Sequence, residues 1–315
     1  MLVSIIIPCF NREEMILETL NSVYAQTYRP LELVVVDDGS TDNSIEVVKK
    51  FSRQNISDTS FKVKIYQQKN NGAPSARNFG LRHCTGDFIQ FLDSDDILCS
   101  NKIKKQLEFL TSFPDCDFVY CQSMIFNHSI GDTDEIVGNE KSKTLKGHIG
   151  ANALKTDLGL YRVNTITKMG FWNENLKVWQ EREYNLRLFT NKLNIGYIPE
   201  VLAYYRVHSN ERISKTLTEQ RHLDSLKVLE RTAINGLSSD DLKVAYTEIC
   251  SHYFSIYKHA LASNKKNIAK SAAYNSLVIS LKSLNFKKIL KSMAINISMY
   301  IFPIKVSHSL IKRFL

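Results

Sequence analysis

The stretch FIQFLDSDD, residues 88–96, closes an apolar run with Asp93, Asp95 and Asp96, three carboxylates in four positions. Like charges packed so closely raise one another's pKa unless something neutralises them. A hard divalent cation with oxygen ligands does this directly, and Mg2+ or Mn2+ typically takes only one or two protein carboxylates, filling its shell with water and substrate phosphates. A second acidic terminus, Asp37 and Asp38 in VVVDDGSTD, follows another apolar run. If the two runs are neighbouring strands, the acids share one crevice, and the chemistry expected there is a metal holding a diphosphate. Such residues also cap helices and turns, and that is the use expected of Ser40, Thr41 and Asp42.

The elements that must position these acids show as an alternation. Residues 2–7, 31–36, 62–66, 88–92 and 118–121 are short apolar runs of strand length. Between them Ile16, Leu20, Val23 and Tyr24 mark one helix face, Ile45, Val48 and Phe51 a second, and Ile103, Leu107 and Leu110 a third, with Ser100 as its expected cap. Pro74 suits the first turn of a further helix running to about residue 84. Continuous rather than alternating apolar strands in a β-α-β-α order predict an α/β fold, with a mixed but mostly parallel sheet covered by helices on both faces. Ligands of such sheets bind beyond the carboxyl ends of the strands. Residues 132–152 turn polar and read as a mobile loop, while a long, basic, helical pattern begins beyond residue 212. The expected division is a catalytic part over 1–215 and a basic helical region over 216–315.

The chain has 315 residues, 43% of them hydrophobic, enough for a substantial core. Its six cysteines form no CxxC pair or zinc-finger spacing, and no secretory signal pattern precedes them, so they read as reduced thiols of a cytoplasmic protein. No 18 consecutive residues are apolar, which argues against a membrane-spanning helix. Charge is unevenly placed: residues 216–315 carry 15 Lys or Arg against 6 Asp or Glu, leaving 26 against 26 in the first 215. The basic region, with Lys287, Lys288, Lys291, Lys305, Lys312 and Arg313 among apolar residues, suits helices lying on an anionic membrane surface, as in a peripheral protein at the inner face of the plasma membrane. A solvated basic face on a helical bundle is the competing reading. Nucleic acid is not an expected partner, since no recognised binding motif accompanies the charge.

Taken together in order, SIIIPCFNREEMILETLNSVYAQTY, LELVVVDDGSTD and NNGAPSARNFGLRHCTGDFIQFLDSDD resemble the nucleotide-sugar-binding half of glycosyltransferase family 2, which has the GT-A fold. The likeness covers about the first 120 residues, and residues 120–215 would form the acceptor part. By position, the resemblance implies that Pro8 and Phe10 border the nucleotide base, Asp38 binds it, and Arg77 contacts base or phosphate. Asp93 would reach ribose or metal, Asp95 would be the main ligand of Mn2+ or Mg2+, and Asp96 a second. Further on, MGFWNENLKVWQEREYNLRLF is similar to the family's acceptor-side segment, placing Glu181 where the catalytic base, usually Asp, stands and Gln180 where Glu is common. Glu183 is expected instead to pair with Arg187 at the i, i+4 spacing. In IPEVLAYYRVHSNERIS, Arg206 and His208 would face the diphosphate or the metal. Trp172 and Trp179 flank the expected base Glu181; a place in the core is the commoner fate of tryptophan, and stacking on a sugar ring is the alternative.

The implied reaction is metal-dependent, inverting transfer of a sugar, a hexosyl or related group, from a nucleoside-diphosphate donor, expected to be UDP-linked. The acceptor would be a hydroxyl of a glycan or lipid-linked molecule in surface polysaccharide or glycoconjugate assembly. Two alternatives stay open: a sugar-phosphate nucleotidyltransferase, and a non-catalytic protein that binds nucleotide sugars. A dinucleotide-dependent oxidoreductase is disfavoured because no G-x-G-x-x-G follows the first strand.

Overall fold

The structure, a computed structural model, describes residues 1–207, 219–283 and 286–301. Its first half is built on four parallel strands: β1 (Val3–Cys9), β2 (Leu31–Asp37), β3 (Phe61–Gln67) and β4 (Phe88–Phe91), in the order β3-β2-β1-β4. Every residue of β1, β2 and β4 is buried, the condition of strands covered on both faces and the reason their sequences do not alternate. The crossovers are α1 (Ile16–Tyr24), α2 (Ser44–Gln54) and α3 (Ala73–His83). Ile5, Ile7, Leu33 and Val35 pack with Ile16, Leu20, Val23, Val48 and Phe51 on one face. Ile6, Val34, Val36 and Phe91 pack with Ala76 of α3 on the other. The helix crosses so closely that a Cβ on Gly80 would lie 2.5 Å from the Ile6 side chain.

Then follow β5 (Ile97–Leu98), α4 (Lys102–Ser112), β6 (Phe118–Phe126), β7 (Ile136–Val137), a 3-10 turn at Glu140–Lys143, α5 (Leu145–Ile149), β8 (Gly159–Arg162), α6 (Val163–Met169), α7 (Gln180–Thr190) and β9 (Ile195–Arg206). The sheet continues β4-β8-β6-β9-β5, with β8 antiparallel to both neighbours and β9 parallel to β6. The sheet is therefore mixed, parallel throughout its first four strands. Beyond it lie four helices, α8 (Glu219–Gly236), α9 (Ser239–Ala262), α10 (Lys266–Lys282) and α11 (Phe286–Ile301). Their core of Leu223, Leu226, Ile249, Tyr253, Tyr257 and Ala272 takes in Ile149 of α5 and Leu186 of α7, so it is continuous with the sheet-bearing part. No described helix is long and apolar enough to cross a membrane.

Two local expectations fail. Ser100 does not cap α4: Asn101 holds that position without a side-chain bond, and the Ser100 carbonyl accepts the Thr27 N–H at 2.8 Å. The polar segment 132–152 is not an open loop but folds into β7, the 3-10 turn and α5, because its polar groups serve each other. Asn139 and Thr144 accept helix N–H groups, and His148 is wholly buried. Asp42 stands one residue before Asn43, the N-cap of α2, and accepts the N–H and hydroxyl of Ser44 at 2.9 and 2.5 Å, a turn leading into that helix. All six cysteines are free thiols. The boundary expected near residue 215 lies outside the described residues.

Candidate active site

The carboxyl ends of β1, β2 and β4 meet at one edge, as the registers Cys9↔Asp37 and Ile6↔Phe91 require. Pro8 is buried within β1 and Phe10, 42% exposed, stands just past its end. Asp38 is almost fully buried and accepts the Gln68 amide at 2.7 Å and the N–H groups of Asn71 and Gly72 at 2.9 and 2.8 Å. It shapes the turn into α3, where Gly72 sits at φ 95°, a conformation costly for other residues. Three donors leave the carboxylate one lone-pair direction for a ligand.

Arg77, one turn into α3, is 4% exposed and lies with its guanidinium 4.5 Å from the centre of the Trp172 ring. Its Nη2 donates to Asp93 at 2.6 Å and its Nη1 to Gln180 at 3.1 Å. One side chain thus ties the tip of β4 to the start of α7, whose Gln180 lies 103 residues after Arg77. Trp172 stacks on Tyr184 at 4.1 Å in the core, as expected.

The three acids after β4 separate in role. Burial, opposed by Arg77 and reinforced by Asp95 and Glu181, holds Asp93 above the usual carboxylate range. Asp95 faces the β1–α1 loop, where Arg12 Nε lies 3.4 Å away. Asp96 is 1% exposed: its Oδ1 accepts the Arg206 N–H at 2.9 Å, and its Oδ2 is buried without a hydrogen-bond partner. Burial and the nearby charges of Asp157, Asp95 and Asp93 push its pKa well up, a repulsion that a cation at this edge would relieve. Among the described residues no group of three or more His, Cys, Asp or Glu is arranged to hold a metal by itself. Asp93 and Asp95 still offer paired hard oxygen donors whose repulsion a cation would relieve. They fit Mg2+ or Mn2+ in the two-carboxylate form that leaves other positions to phosphate and water.

Arg206 closes this edge from β9: its Nε donates to the Asp95 carbonyl at 2.9 Å, its Nη2 to Glu18, and its guanidinium lies 4.4 Å from the Phe126 ring centre. His208 lies outside the described residues.

Glu181 sits in the first turn of α7, next to Gln180, with its carboxylate 3.7 Å from Lys155 Nζ. Burial raises its pKa, but Lys155, its own backbone N–H, Arg77 and Arg182 outweigh that and leave it lowered, so the carboxylate is ionised at neutral pH. Glu183 is paired with Arg187 at 3.0 and 2.7 Å and accepts the Thr232 hydroxyl of α8 at 2.9 Å, the structural part expected of it. Reasoning from sequence did not assign Arg12 or Lys155 and left Gln180 without a partner. Arg12 carried a signal in its place just past a strand's carboxyl end, whereas Lys155 carried none. A separate cavity of about 540 Å3, lined by Met1, Tyr28, Lys104 and neighbours, lies apart from these acids.

The sequence pattern of Glycosyl transferase family 2 matches residues 4–213, and the chain belongs to that family. An uncharacterized glycosyltransferase of Haemophilus influenzae is 43% identical over 110 residues, 35% of this chain and 42% of that protein. An Escherichia coli protein named UDP-Glc:alpha-D-GlcNAc-diphosphoundecaprenol beta-1,3-glucosyltransferase WfgD is 38% identical over 128 residues, 41% of this chain and 48% of the other. In both cases the matched region is less than half of the relative. Among solved structures, Staphylococcus aureus TarS 1–349 in complex with UDP-GlcNAc superposes with a TM-score of 0.78 at 20% identity, covering 98% of this chain and 91% of the other. The mannosyltransferase PcManGT of Pyrobaculum calidifontis, with GDP-Man and Mn2+, gives a TM-score of 0.61 at 16% identity, covering 98% and 83%. These likenesses show that the fold is GT-A, as the sequence implied.

Proposed function

We propose that this protein transfers a sugar from a UDP-linked donor to an acceptor hydroxyl, with inversion at the anomeric carbon, in the assembly of a surface polysaccharide or related glycoconjugate. The observation that carries the reading is the Arg77 bridge, which holds the acid at the tip of β4 and the helix bearing Glu181 around a common space. The complexes of TarS with UDP-GlcNAc and UDP support the donor class, and the name of WfgD supports a lipid-linked acceptor.

In this reading Phe10 and the turn held by Asp38 border the base, Pro8 supports that edge, and Arg77 and Arg206 neutralise diphosphate oxygens. Asp95 and Asp93 would hold Mn2+ or Mg2+, which when bound offsets negative charge on the leaving diphosphate. His208 is assigned to the same metal-phosphate side by sequence resemblance alone. Glu181, already ionised, takes the proton of the acceptor hydroxyl as that oxygen attacks from the face opposite the diphosphate. Glutamate in place of the family's commoner aspartate adds one methylene of reach. The catalytic part is assigned to residues 1–215. The basic region after it is assigned to a cytoplasmic, anionic membrane surface, where a lipid-linked acceptor would be met.

The test is release of UDP from UDP-glucose, UDP-N-acetylglucosamine and UDP-galactose, with Mn2+, Mg2+ or chelator. Asp95→Ala and Glu181→Gln should each lower turnover by a factor of about 10²–10⁴ while leaving the thermal transition in place. Wild-type turnover in either variant removes that residue's role. Release of pyrophosphate from UTP and a sugar phosphate would point instead to nucleotidyl transfer, and UDP binding without any turnover to a non-catalytic protein.

A further inference from the structure

The residue before the first turn of α7 is in an unusual state. Trp179 adopts φ 57° and ψ 28°, the left-handed region, and no side chain caps the helix that follows. For a residue with a Cβ this conformation costs about 1–2 kcal/mol, so the surroundings must hold it. They do so from the C-terminal helices. The Trp179 ring lies 4.9 Å from the ring of His252 on α9 and 5.6 Å from that of His222 on α8. The Arg182 guanidinium lies 5.1 Å from the same indole. Arg182 Nη1 donates to the carbonyls of Gly150, at 2.6 Å, and Ile149, and is 3.0 Å from His252 Nε2. These contacts converge on the two residues flanking the pair Gln180–Glu181. The left-handed residue leads directly into the first turn of α7, where Gln180 accepts from Arg77 and Glu181 lies 3.7 Å from Lys155.

We infer that Trp179, Arg182 and His252 form a clamp through which the C-terminal helices fix the turn carrying the base. The inference rests on Glu181 being that base. None of the three needs to touch substrate; they are positioning residues. The helices after residue 219 then complete the active site from behind, in addition to any anchoring they provide.

The test uses full-length protein. His252→Leu keeps bulk but removes the ring nitrogens, of which Nε2 donates to the Ile149 carbonyl at 2.6 Å; His252→Asn restores a side-chain N–H donor. Amide hydrogen exchange over residues 176–186 should quicken by about tenfold or more in His252→Leu, with β4 and α3 unchanged. Turnover of whichever UDP-sugar the wild type cleaves should fall by about ten- to a hundredfold with donor KM unchanged, and His252→Asn should recover most of it. Wild-type exchange and turnover in His252→Leu would overturn the clamp, as would a uniform loss of donor binding and stability with turnover per folded molecule intact. If His252→Leu does not fold, Trp179→Asn decides, because Asn tolerates the left-handed turn but lacks the ring. Full activity there overturns the inference. Glu181→Gln run in parallel separates the two readings: inactive Glu181→Gln beside fully active His252→Leu sinks the clamp alone, whereas active Glu181→Gln removes the base and the clamp with it.

Discussion

At the scale of single residues, the site is governed by how each carboxylate is compensated. Asp93 has Arg77, Asp95 has Arg12 nearby, and Glu181 has Lys155, while Asp96 shares the interior with Asp157. The Lys155–Glu181 pair gives a signed prediction. A general base works in its ionised form, so under the role proposed for Glu181 turnover should fall as pH drops through its pKa, which Lys155 helps to keep low. Lys155→Met should let burial dominate, raise that pKa, and move the acid limb of the turnover–pH profile to higher pH. An acid limb that stays in place would show that another group limits the rate. Linkage runs the same way: a carboxylate lowered in the folded state adds stability above its unfolded pKa and loses it as pH falls through the folded one. Lys155→Met should therefore lose less stability in acid than the wild type does, as read by denaturant titration.

At the scale of elements, α5 and α7 depend on a buried neutral imidazole. The Leu154 N–H donates to His148 Nδ1 at 3.3 Å, which leaves Nε2 to carry the proton toward the Arg182 carbonyl at 2.8 Å. Burial pushes His148 down from 6.5 to about 4, and His252 likewise. Between those values the unfolded chain takes up protons that the folded chain refuses, so the contribution of these two imidazoles to stability should decline as pH falls from about 6.5 to about 4 and level off below. His148→Leu should cost about 1–3 kcal/mol at pH 7.5 by orphaning the Leu154 N–H, and should flatten part of the acid decline. Urea titrations at pH 7.5 and 5 check both. The same elements show what could be read from sequence. β1, β2 and β4 were legible because burial on both faces writes an unbroken apolar run, and the acids at their tips were legible because charge next to such a run is conspicuous. β7 and α5 were not, because His148 becomes an interior group only through its contact with the Arg182 carbonyl, 34 residues on, and half-buried Asn139 through Asn152. Lys155 and Gln180 became site residues for the same reason: nothing near them in sequence shows the distant groups they meet.

At the scale of the whole molecule, the excess positive charge falls within residues 216–315, whose described helices pack against Ile149 of α5 and Leu186 of α7. From Cys250 to the end there are 11 basic residues and no acidic one, yet several of the described lysines are engaged within the protein. Lys265 pairs with Glu219, Lys282 with Glu230, and Lys288 donates to Ser251. Lys258, Lys266 and Lys270 are exposed, and so are Tyr274 and Leu281 on α10 and Leu290 and Met293 on α11. Apolar side chains among cations suit an anionic interface, each cation near such a surface contributing about 1 kcal/mol. Replacing Lys258, Lys266 and Lys270 with Glu reverses three charges while leaving the buried faces of α9 and α10 alone. If these helices carry the enzyme to the membrane, the triple variant should lose about a hundredfold or more in flotation with vesicles of 30% phosphatidylserine, and its turnover on a water-soluble acceptor should match the wild type. Equal flotation of variant and wild type would make the basic face a solvated surface of a bundle whose part in catalysis is to hold α7.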